Sequence, residues 1–552
     1  MRRLRATFLA FVLLLACAPS ARAEGPAGPE TVLQDDAVLL HSDDAGVKAA
    51  MAQIKALGVD RVRLTAGWSV IAPKPDSDTR PDFDATDPGA YPSGAWRNLD
   101  RAVQDAHDAG LKVMIDIAFW APHWATQGDA QGDARARTQI DPAAYAQFAQ
   151  AVARRYSGSY APPAPPAPPP PKQSAQEALL DSVLVRKPPP AAQQQAPPPA
   201  PLPAVDIFTL WNEPNQPGFL MPQWALEDGQ WVAASADVYR AMVYAAYPAI
   251  KAVDPGARVL IGGTASMGSS VPGRNGVPPL AFIRRLACVD QNLQPVTTGA
   301  CASFQPLPGD GWAHHPYSLR TLPSSVPRNP DDLPVSQTPK LESTLRALAA
   351  AGRIAPADTD LYMTEYGYET SPPDPKAVFG PLDQALLLSW AEYLGTRDPA
   401  VKMWPQFLLR DRPGDPAGPT MRPFGDWQTG LFYADGTAKP AAASFRTPTF
   451  AQCVRRGHGA RRVVVWGLLR DGAQARVVVS RHDRGRGRAR PRAWTARAVT
   501  LPAAAAGISR VAPWRRGATF RLSWRLPDGT QVLGPAVTPV GCPGSPRWTR
   551  HP

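Results

Sequence analysis

The chain has 552 residues, of which 44% are hydrophobic and 8% aromatic, so it contains enough apolar material for a sizeable core. This composition excludes wholesale disorder, and the glycines do not follow the triplet period of collagen. Proline is in excess, with 65 residues. The formal net charge is +12, and no stretch beyond the N-terminus offers the roughly 20 apolar residues that a membrane helix needs.

The N-terminus has the pattern of a secretory signal peptide over residues 1–23. Arginines precede an apolar run from Phe8 to Ala16, and small residues end the stretch at Ala23. A lipoprotein signal is the alternative, because the residues around Cys17 resemble a bacterial lipobox. We therefore expect a secreted, extracellular protein or, in the alternative, a cell-surface lipoprotein. Residues 24–34 are predicted to be a linker.

The cysteines point to disulfides. Without Cys17 four cysteines remain, an even number in an oxidising compartment. Of the three possible pairings we favour Cys288 with Cys301, which closes a short loop, and Cys453 with Cys542, which joins the ends of a C-terminal domain. No Cys-x-x-Cys or Cys/His spacing of a metal site is present, so we predict no metal.

The region from residue 35 to about 447 alternates short apolar runs with amphipathic helical stretches, as repeated β-α units do. The predicted strands are 36–41, 60–66, 112–119, 205–211, 258–263, 311–315, 360–366 and 401–407. Eight such units predict an α/β fold, a closed (β/α)8 TIM barrel, with its reactive residues at the C-terminal ends of the strands. A doubly wound open sheet is the alternative, but no glycine-rich nucleotide motif supports it.

A proline-rich stretch, 161–203, interrupts the predicted barrel between its third helix and fourth strand. Proline runs form neither helix nor sheet, so we predict a disordered, polyproline-like surface insertion. A ligand for a proline-binding domain is the alternative to an inert extension. No catalytic residue is assigned to this stretch.

Residues 448–552 contain short alternating runs divided by Gly, Pro and Asp, which predict a small β-sandwich domain. Residues 451–552 hold 20 Arg, no Lys, three Asp and no Glu, a balance of +17 that leaves −5 for the rest of the chain. We expect this domain to attach to an anionic surface or envelope polymer. A merely solubilising surface is the alternative, and nucleic acid is disfavoured because no binding motif accompanies the arginines.

Two glutamates follow predicted strands that face each other across the barrel mouth. Glu213 lies in VDIFTLWNEPN beyond the fourth strand, and Glu365 lies in DLYMTEYGY at the end of the seventh. Cleavage of a glycosidic bond requires such a pair, because one carboxylic acid protonates the leaving oxygen while a carboxylate stabilises or attacks the anomeric carbon. A carboxyl separation of about 5–5.5 Å would indicate double displacement with retention.

WNEPN and TEYG together resemble the retaining glycoside hydrolases of clan A, and are most similar to glycoside hydrolase family 39 with its β-xylosidase-like and exopolysaccharide-cleaving relatives. The resemblance covers roughly residues 35–447. It implies that Glu213 is the acid/base, that Glu365 is the nucleophile, and that Asn212 donates a hydrogen bond to the sugar 2-hydroxyl. The implied activity is that of a secreted O-glycosyl hydrolase acting on an oligo- or polysaccharide, without a cofactor.

Three further residues match the clan by position. His315 and Tyr317 resemble its His-x-Tyr element, in which the tyrosine hydroxyl orients the nucleophile, and His314 is excluded. Arg63 resembles the strand-two arginine that keeps the nucleophile ionised by lowering its pKa, although a structural arginine in a buried ion pair is the alternative. Glu365 is thus expected to be ionised and Glu213 protonated.

Aromatic residues near the predicted strand ends are candidates for a surface on which a sugar ring packs. They are Trp404 on the eighth strand, and Trp120, His123 and Trp124 after the third. Each tryptophan has a core role as its alternative. For the whole protein, the competing function is a noncatalytic glycan- or envelope-binding protein built on a barrel.

Overall fold

The computed structural model of this protein describes residues 28–127, 130, 132–163, 200–414, 427–454, 461–470, 475–483, 493–495, 499–501 and 507–543. The predicted signal peptide with Cys17, and residues 164–199 of the proline-rich insertion, lie outside this part. Among the described helices, none combines the length and the apolar character needed to cross a membrane.

Eight parallel strands close into a barrel, which confirms the predicted (β/α)8 fold. They are β1 (Glu30–Gln34), β2 (Arg61–Gly67), β3 (Lys112–Ala118), β4 (Ile207–Leu210), β5 (Arg258–Ala265), β6 (Trp312–His315), β7 (Leu361–Met363) and β8 (Val401–Phe407). Each strand pairs with the next, and β8 closes the barrel on β1.

Helices cover the outside of the barrel, with at least one after every strand. They are α1 (Asp36–Leu39), α2 (Asp44–Ala56), α3 (Trp68–Ile71), α4 (Arg97–Asp108), α5 (Pro142–Arg155), α6 (Ala234–Val253), α7 (Pro279–Leu286), α8 (Thr338–Ala350), α9 (Pro381–Gly395) and α10 (Pro440–Arg446). A two-stranded hairpin, Ala225–Glu227 with Gln230–Val232, lies in the connection from β4 to α6.

The prediction of the first strand is wrong. Residues 36–39 of the predicted strand form α1, whereas β1 lies at Glu30–Gln34, inside the stretch predicted as a linker. Asp35 explains the difference, because its carboxylate accepts a hydrogen bond from the backbone of Val38 and caps α1. The same carboxylate accepts from the backbone N–H groups of Leu409 and Arg410, both at 3.0 Å. The other seven predicted strands are confirmed.

The barrel interior changes from apolar to polar along the strands. One apolar layer consists of Val32, Met114, Ile207, Leu260, Ala313, Tyr362 and Met403. Side chains alternate along a strand, so residues two positions further on also point inward. At these positions the chain carries buried polar residues, among them Gln34, Asp116, Thr209 and His315. This polar layer lies on the side of the C-terminal strand ends, where a barrel holds its reactive groups.

The C-terminal strands form two antiparallel sheets with one shared core. They are β9 (Thr449–Val454), β10 (Arg462–Gly467), β11 (Ala475–His482), β12 (Ala493–Thr495), β13 (Val499–Leu501), β14 (Ile508–Pro513), β15 (Thr519–Arg525) and β16 (Gln531–Leu533). One sheet has the order β9-β10-β14, and the other has β12-β11-β15-β16 with β13 on β11. Residues of both, including Val463 and Phe520, share one hydrophobic cluster.

Both favoured disulfide pairings are confirmed. Cys288 is bonded to Cys301, and Cys453 is bonded to Cys542. The second bond ties β9 to the segment after β16, so it joins the two ends of the C-terminal domain as expected.

The C-terminal sheets are packed on α9. Phe450 stacks on Trp390 with ring centroids 5.4 Å apart, and Trp466 lies 5.7 Å from Tyr393. Phe450 and Trp466 belong to the hydrophobic cluster of the barrel. The C-terminal domain therefore continues the core of the barrel.

Candidate active site

Glu213 lies three residues beyond the end of β4, in a turn at the barrel mouth. Its backbone is left-handed, with φ of 40°, and its N–H donates to the Gly263 carbonyl at 2.9 Å. The Asn215 side chain donates to the carbonyls of Ala265 and Val277. These contacts with β5 and the loop after it hold the WNEPN turn in place. The position of the Glu213 carboxyl group is therefore fixed by the backbone of this turn.

Glu365 lies two residues beyond β7 and is buried. One carboxylate oxygen accepts a hydrogen bond from Arg63 Nη1 at 2.6 Å, and the other accepts from the Tyr317 hydroxyl at 3.2 Å. Both donors are the residues expected to contact this carboxylate.

The two glutamates converge on one place. A carboxylate oxygen of Glu213, a ring nitrogen of His315 and a carboxylate oxygen of Glu365 all lie within 4.8 Å of one another. His315 lies between the carboxyl groups, with Nδ1 2.9 Å from Glu213 Oε1 and 3.6 Å from Glu365 Oε2. This spacing is close to the roughly 5–5.5 Å of retaining glycosidases and below the roughly 6.5–9.5 Å of inverting ones.

The environments of the two carboxyl groups are unequal. Burial raises the pKa of Glu213 to about 7, and the charge of Arg63 opposes this effect. Burial also raises the pKa of Glu365, and the charge of Glu213 acts in the same direction, whereas the charge of Arg63 and the hydrogen bond from Arg63 lower it. Arg63 lowers the pKa of Glu365 as expected, but burial raises that pKa by more. Glu213 is therefore the group that keeps a proton near neutral pH.

His315 contributes no charge at neutral pH, because burial lowers its pKa to about 4. Within the described part of the chain its Nε2 atom is buried and has no hydrogen-bond partner. The neighbouring His314 points to the outer side of β6, where it contacts Thr264 and the Leu333 carbonyl, both at 2.8 Å. The ring that faces the two glutamates is thus that of His315.

Arg63 is the centre of a buried polar network that the sequence reveals only in part. Besides Glu365, its guanidinium contacts Gln34, donates to Asn212 Oδ1 at 3.1 Å, and lies 2.9 Å from Asp116 Oδ2. Asn212 accepts through its oxygen, which leaves its amide N–H groups as donors. Sequence reasoning missed Gln34 and Asp116. A lone carboxylate within the apolar run KVMIDIAF was the available signal for Asp116.

Trp427, which sequence reasoning missed, lies beside Tyr317. Its ring centroid is 5.4 Å from Tyr317 and 5.7 Å from Phe407 at the end of β8, and its side chain is partly exposed. It lies in a loop with φ of 75° and in no strand. The only sequence signal was its position in the stretch after the eighth strand.

The prediction that Trp404 contacts the sugar is wrong. Met403 belongs to the apolar layer inside the barrel, so Trp404 points to the outer side of β8. There its ring lies against α9, where a Cβ on Gly395 would overlap it, and 5.5 Å from the ring of Tyr366. Trp404 fills the space between strand and helix.

The candidates after β3 differ from one another. Trp120 has 40% of its surface exposed, and its indole N–H donates to the Gly218 carbonyl in the loop after Glu213. Trp124 packs edge-on against Trp68 at 6.1 Å, so it belongs to the core and not to the cleft. The backbone N–H of His123 donates to the Pro75 carbonyl, and its side chain is partly buried. Trp120 and His123 therefore remain candidates for sugar contact.

The cluster of Glu213, His315 and Glu365 also has the spacing of a metal site, and it is the one such cluster within the described residues. The guanidinium of Arg63 already provides a positive charge 2.6 Å from Glu365. A metal ion would have to share that carboxylate with a fixed cation, which disfavours metal binding here.

No protein-family description and no curated protein matches the sequence. In three dimensions the chain is similar to an endo-β-1,4-mannanase from Thermotoga petrophila, with a TM-score of 0.39, 12% identity, and 93% of this chain and 98% of that chain covered. It is similar to GH5_18 from Bifidobacterium longum subsp. longum ATCC 55813 with a TM-score of 0.40, 14% identity, and coverage of 76% and 78%. It is also similar to an exo-β-1,4-mannosidase from Opitutaceae bacterium strain TAV5, with a TM-score of 0.37, 14% identity, and coverage of 77% and 59%. Similarity at this level says nothing about the reaction, which has to be inferred from the side chains of this chain.

Proposed function

We propose that this protein is a retaining glycoside hydrolase that cleaves O-glycosidic bonds in an oligo- or polysaccharide by double displacement. One observation supports this proposal above all others: carboxylate oxygens of Glu213 and Glu365 approach within 4.8 Å at the barrel mouth, in unequal environments. The resemblance of WNEPN and TEYG to family 39 of clan A supports the same assignment of roles.

In the first step Glu365 is the nucleophile and Glu213 is the general acid. A Glu365 oxygen bonds to the anomeric carbon while the bond to the leaving oxygen breaks, and Glu213 gives its proton to that oxygen. Arg63 and Tyr317 hold the carboxylate of Glu365 in place through the oxygens that they contact. The product is a glycosyl ester of Glu365 and a released alcohol.

In the second step Glu213 acts as a base. Once Glu365 is esterified its negative charge is gone, and with it the repulsion between the two carboxylates, which in this site is seen as the charge of Glu213 raising the pKa of Glu365. Because this repulsion acts on both groups, its loss lowers the pKa of Glu213. Glu213 can then take a proton from water while the water oxygen bonds to the anomeric carbon and the ester bond breaks. Two displacements restore the original anomeric configuration.

Three further side chains have proposed contacts with the sugar. Asn212 is bound through its oxygen to Arg63, so its amide N–H is oriented to donate to the 2-hydroxyl. Trp427 lies beside Tyr317 and would pack against the ring of the sugar that is attacked, and the exposed ring of Trp120 after β3 would pack against a further sugar.

A panel of aryl glycosides and polysaccharides, assayed with the mature protein and with Glu365→Ala, tests this function. We expect the variant to lose turnover by orders of magnitude while it still binds the substrate, and a chelator to leave the wild-type rate unchanged. Binding without turnover by the wild type would instead indicate the noncatalytic glycan-binding protein. Proton NMR of the first product formed should give retention, and inversion would refute double displacement.

The proposal extends to secretion and to the C-terminal domain. Two disulfides fit an oxidising compartment outside the cytoplasm.

Six described arginines of the C-terminal domain are exposed: Arg462, Arg476, Arg510, Arg515, Arg516 and Arg525. We expect them to hold the enzyme on an anionic envelope polymer. Retention on an immobilised polyanionic polysaccharide should weaken as salt is added, and should weaken further in Arg515→Gln/Arg516→Gln. If the protein is not retained on the polyanion at low salt, the exposed arginines have only a solubilising role.

A further inference from the structure

Asp116 is a buried carboxylate on the floor of the cleft that the reaction described above does not use. It is 1% exposed and lies on β3 with its side chain toward the barrel interior. Its Oδ2 atom is 2.9 Å from Arg63 Nη2, an ion-pair contact without the alignment of a hydrogen bond. The Thr209 hydroxyl donates to its other oxygen. Asp116 is therefore held between β2 and β4.

Arg63 lies between two carboxylates. Nη1 donates to Glu365, whereas Nη2 contacts both Asp116 and the oxygen of Asn212. A single buried guanidinium thus neutralises two negative groups, and its attraction is divided between them. The contact on the Nη2 side also fixes the plane of the guanidinium, and with it the position of the Nη1 atom that meets the nucleophile.

We propose that Asp116 is a positioning residue that holds Arg63 and takes part of its charge away from Glu365, so that the nucleophile is oriented without being overstabilised. This inference rests on the proposed glycosidase function. A carboxylate that binds one cation exclusively is more stable as an anion and donates its electrons less readily to carbon. Sharing Arg63 keeps Glu365 ionised and reactive.

The charges around the pair make the test specific. The titratable and charged groups that face Glu365 are Arg63, His315, Glu213 and Tyr317. Those that face Asp116 are Arg63 and Asp36, together with the buried phenols of Tyr145 on α5 and Tyr239 on α6. Burial raises the pKa of Asp116 to about 6, against the charge of Arg63 and the hydrogen bond from Thr209. Asp116→Asn keeps the shape of the side chain and removes its charge, so Arg63 then acts on Glu365 alone.

The experiment is the pH profile of kcat/KM, measured for the wild type, Asp116→Asn and Asp116→Ser. Both variants should move the acid limb, which reports Glu365 in the free enzyme, to lower pH by about one unit. We expect kcat to fall roughly tenfold and KM to change little, because the ionised nucleophile becomes less reactive. The serine variant removes the same charge with a smaller side chain, which guards against poor folding of the first variant.

Glu392→Gln is the matched control, because Glu392 forms a buried ion pair with Arg470 away from the cleft. It should lower the melting temperature without moving the acid limb. An unmoved acid limb in both Asp116 variants, with only a lower melting temperature, would overturn the inference while the glycosidase function stands. If the wild-type protein turns over no glycoside, the proposed glycosidase function is wrong, and the inference about Asp116 fails with it.

Discussion

The two glutamates differ in the groups that contact their carboxyl oxygens. Glu365 has a guanidinium and a phenolic hydroxyl as donors, whereas Glu213 has a neutral imidazole. Two carboxyl groups placed close together divide the work of acid and nucleophile when their environments separate their proton affinities. The residues that surround each carboxyl therefore support the roles proposed for Glu213 and Glu365.

At the residue scale, the first prediction concerns pH. Glu213 must be protonated to act as the acid, so activity is present below its pKa of about 7 and is lost as the pH rises through it. The profile of kcat/KM should show a basic limb near that pH. Glu213→Gln should remove this limb and lower the rate by about 10²–10⁴ for substrates with poor leaving groups. An unchanged basic limb in this variant would assign the acid to another residue.

The sequence predicted that these two carboxyl groups meet, because they follow strands whose ends lie together at the barrel mouth. It did not predict the contacts of Arg63 with Gln34 and Asp116, because these depend on which residues of three different strands share one inward-facing layer. Strand register decides that layer, and register is not visible in one apolar run. The inward position of Asp116 was open to inference from alternation alone, once Met114 was taken as interior.

At the element scale, β8 illustrates how alternation determines which tryptophan reaches the cleft. Met403 points inward and Trp404 points outward, against α9. The aromatic ring beside Tyr317 comes instead from Trp427 in the loop after β8. The sequence shows tryptophans in and after β8. It does not show whether the ring beside Tyr317 comes from the strand or from the loop that follows it.

This difference predicts opposite results for two alanine variants. Trp427→Ala should raise KM or lower kcat/KM by about tenfold or more, because a ring that packs on the sugar is lost, and should leave the melting temperature nearly unchanged. Trp404→Ala should cost about 3–5 kcal/mol of unfolding free energy, since it leaves a cavity between β8 and α9. Steady-state kinetics and chemical denaturation of both variants measure this. A loss of activity in Trp404→Ala together with a loss of stability in Trp427→Ala would instead indicate that Trp404 contacts the sugar.

The first strand shows a second limit of element prediction. Both 30–34 and 36–41 are short apolar runs, and only the capping of α1 by Asp35 tells them apart. A capping aspartate in front of an apolar run was a usable signal for a helix start, and it outweighed the apolar character of the run.

At the scale of the whole molecule, the C-terminal domain is packed on α9, the helix that follows β7. Arg470 Nη2 lies 2.5 Å from Glu392 Oε2 on α9, and the side chains are 1% and 4% exposed. Arg470 also donates to the Phe445 carbonyl at 2.6 Å. Removing residues 451–552 would therefore expose α9 and leave the Glu392 carboxylate buried without its cation. Loss of activity after that deletion would reflect damage to the barrel.

A cleaner test of this interface is Arg470→Met. The substitution should lower the free energy of unfolding by about 3–5 kcal/mol, because it leaves Glu392 as an uncompensated buried charge. Arg470→Met combined with Glu392→Leu should recover much of that loss. Denaturation by urea measures both variants. A single variant as stable as the wild type would mean that the domain is held to the barrel by apolar contacts alone.

The proline-rich insertion enters and leaves the barrel on the face opposite the cleft. It follows α5 and precedes β4, and its ends meet where the Leu202 N–H donates to the Tyr160 carbonyl at 3.0 Å. Connections from helix to strand lie at the N-terminal ends of the strands, whereas Glu213 and Glu365 lie at the C-terminal ends. The two described ends of this stretch therefore lie on the face of the barrel opposite the two glutamates.

Covalent trapping tests the central claim most directly. A 2-deoxy-2-fluoro glycoside with a good leaving group, chosen from the sugar that the protein hydrolyses, slows the second displacement and lets the glycosyl ester accumulate. Mass spectrometry of the digested protein should find one sugar on the peptide that contains Glu365, and none on the same peptide of Glu365→Gln. A label on another residue, or hydrolysis with inversion and no label, would contradict the assignment of Glu213 and Glu365.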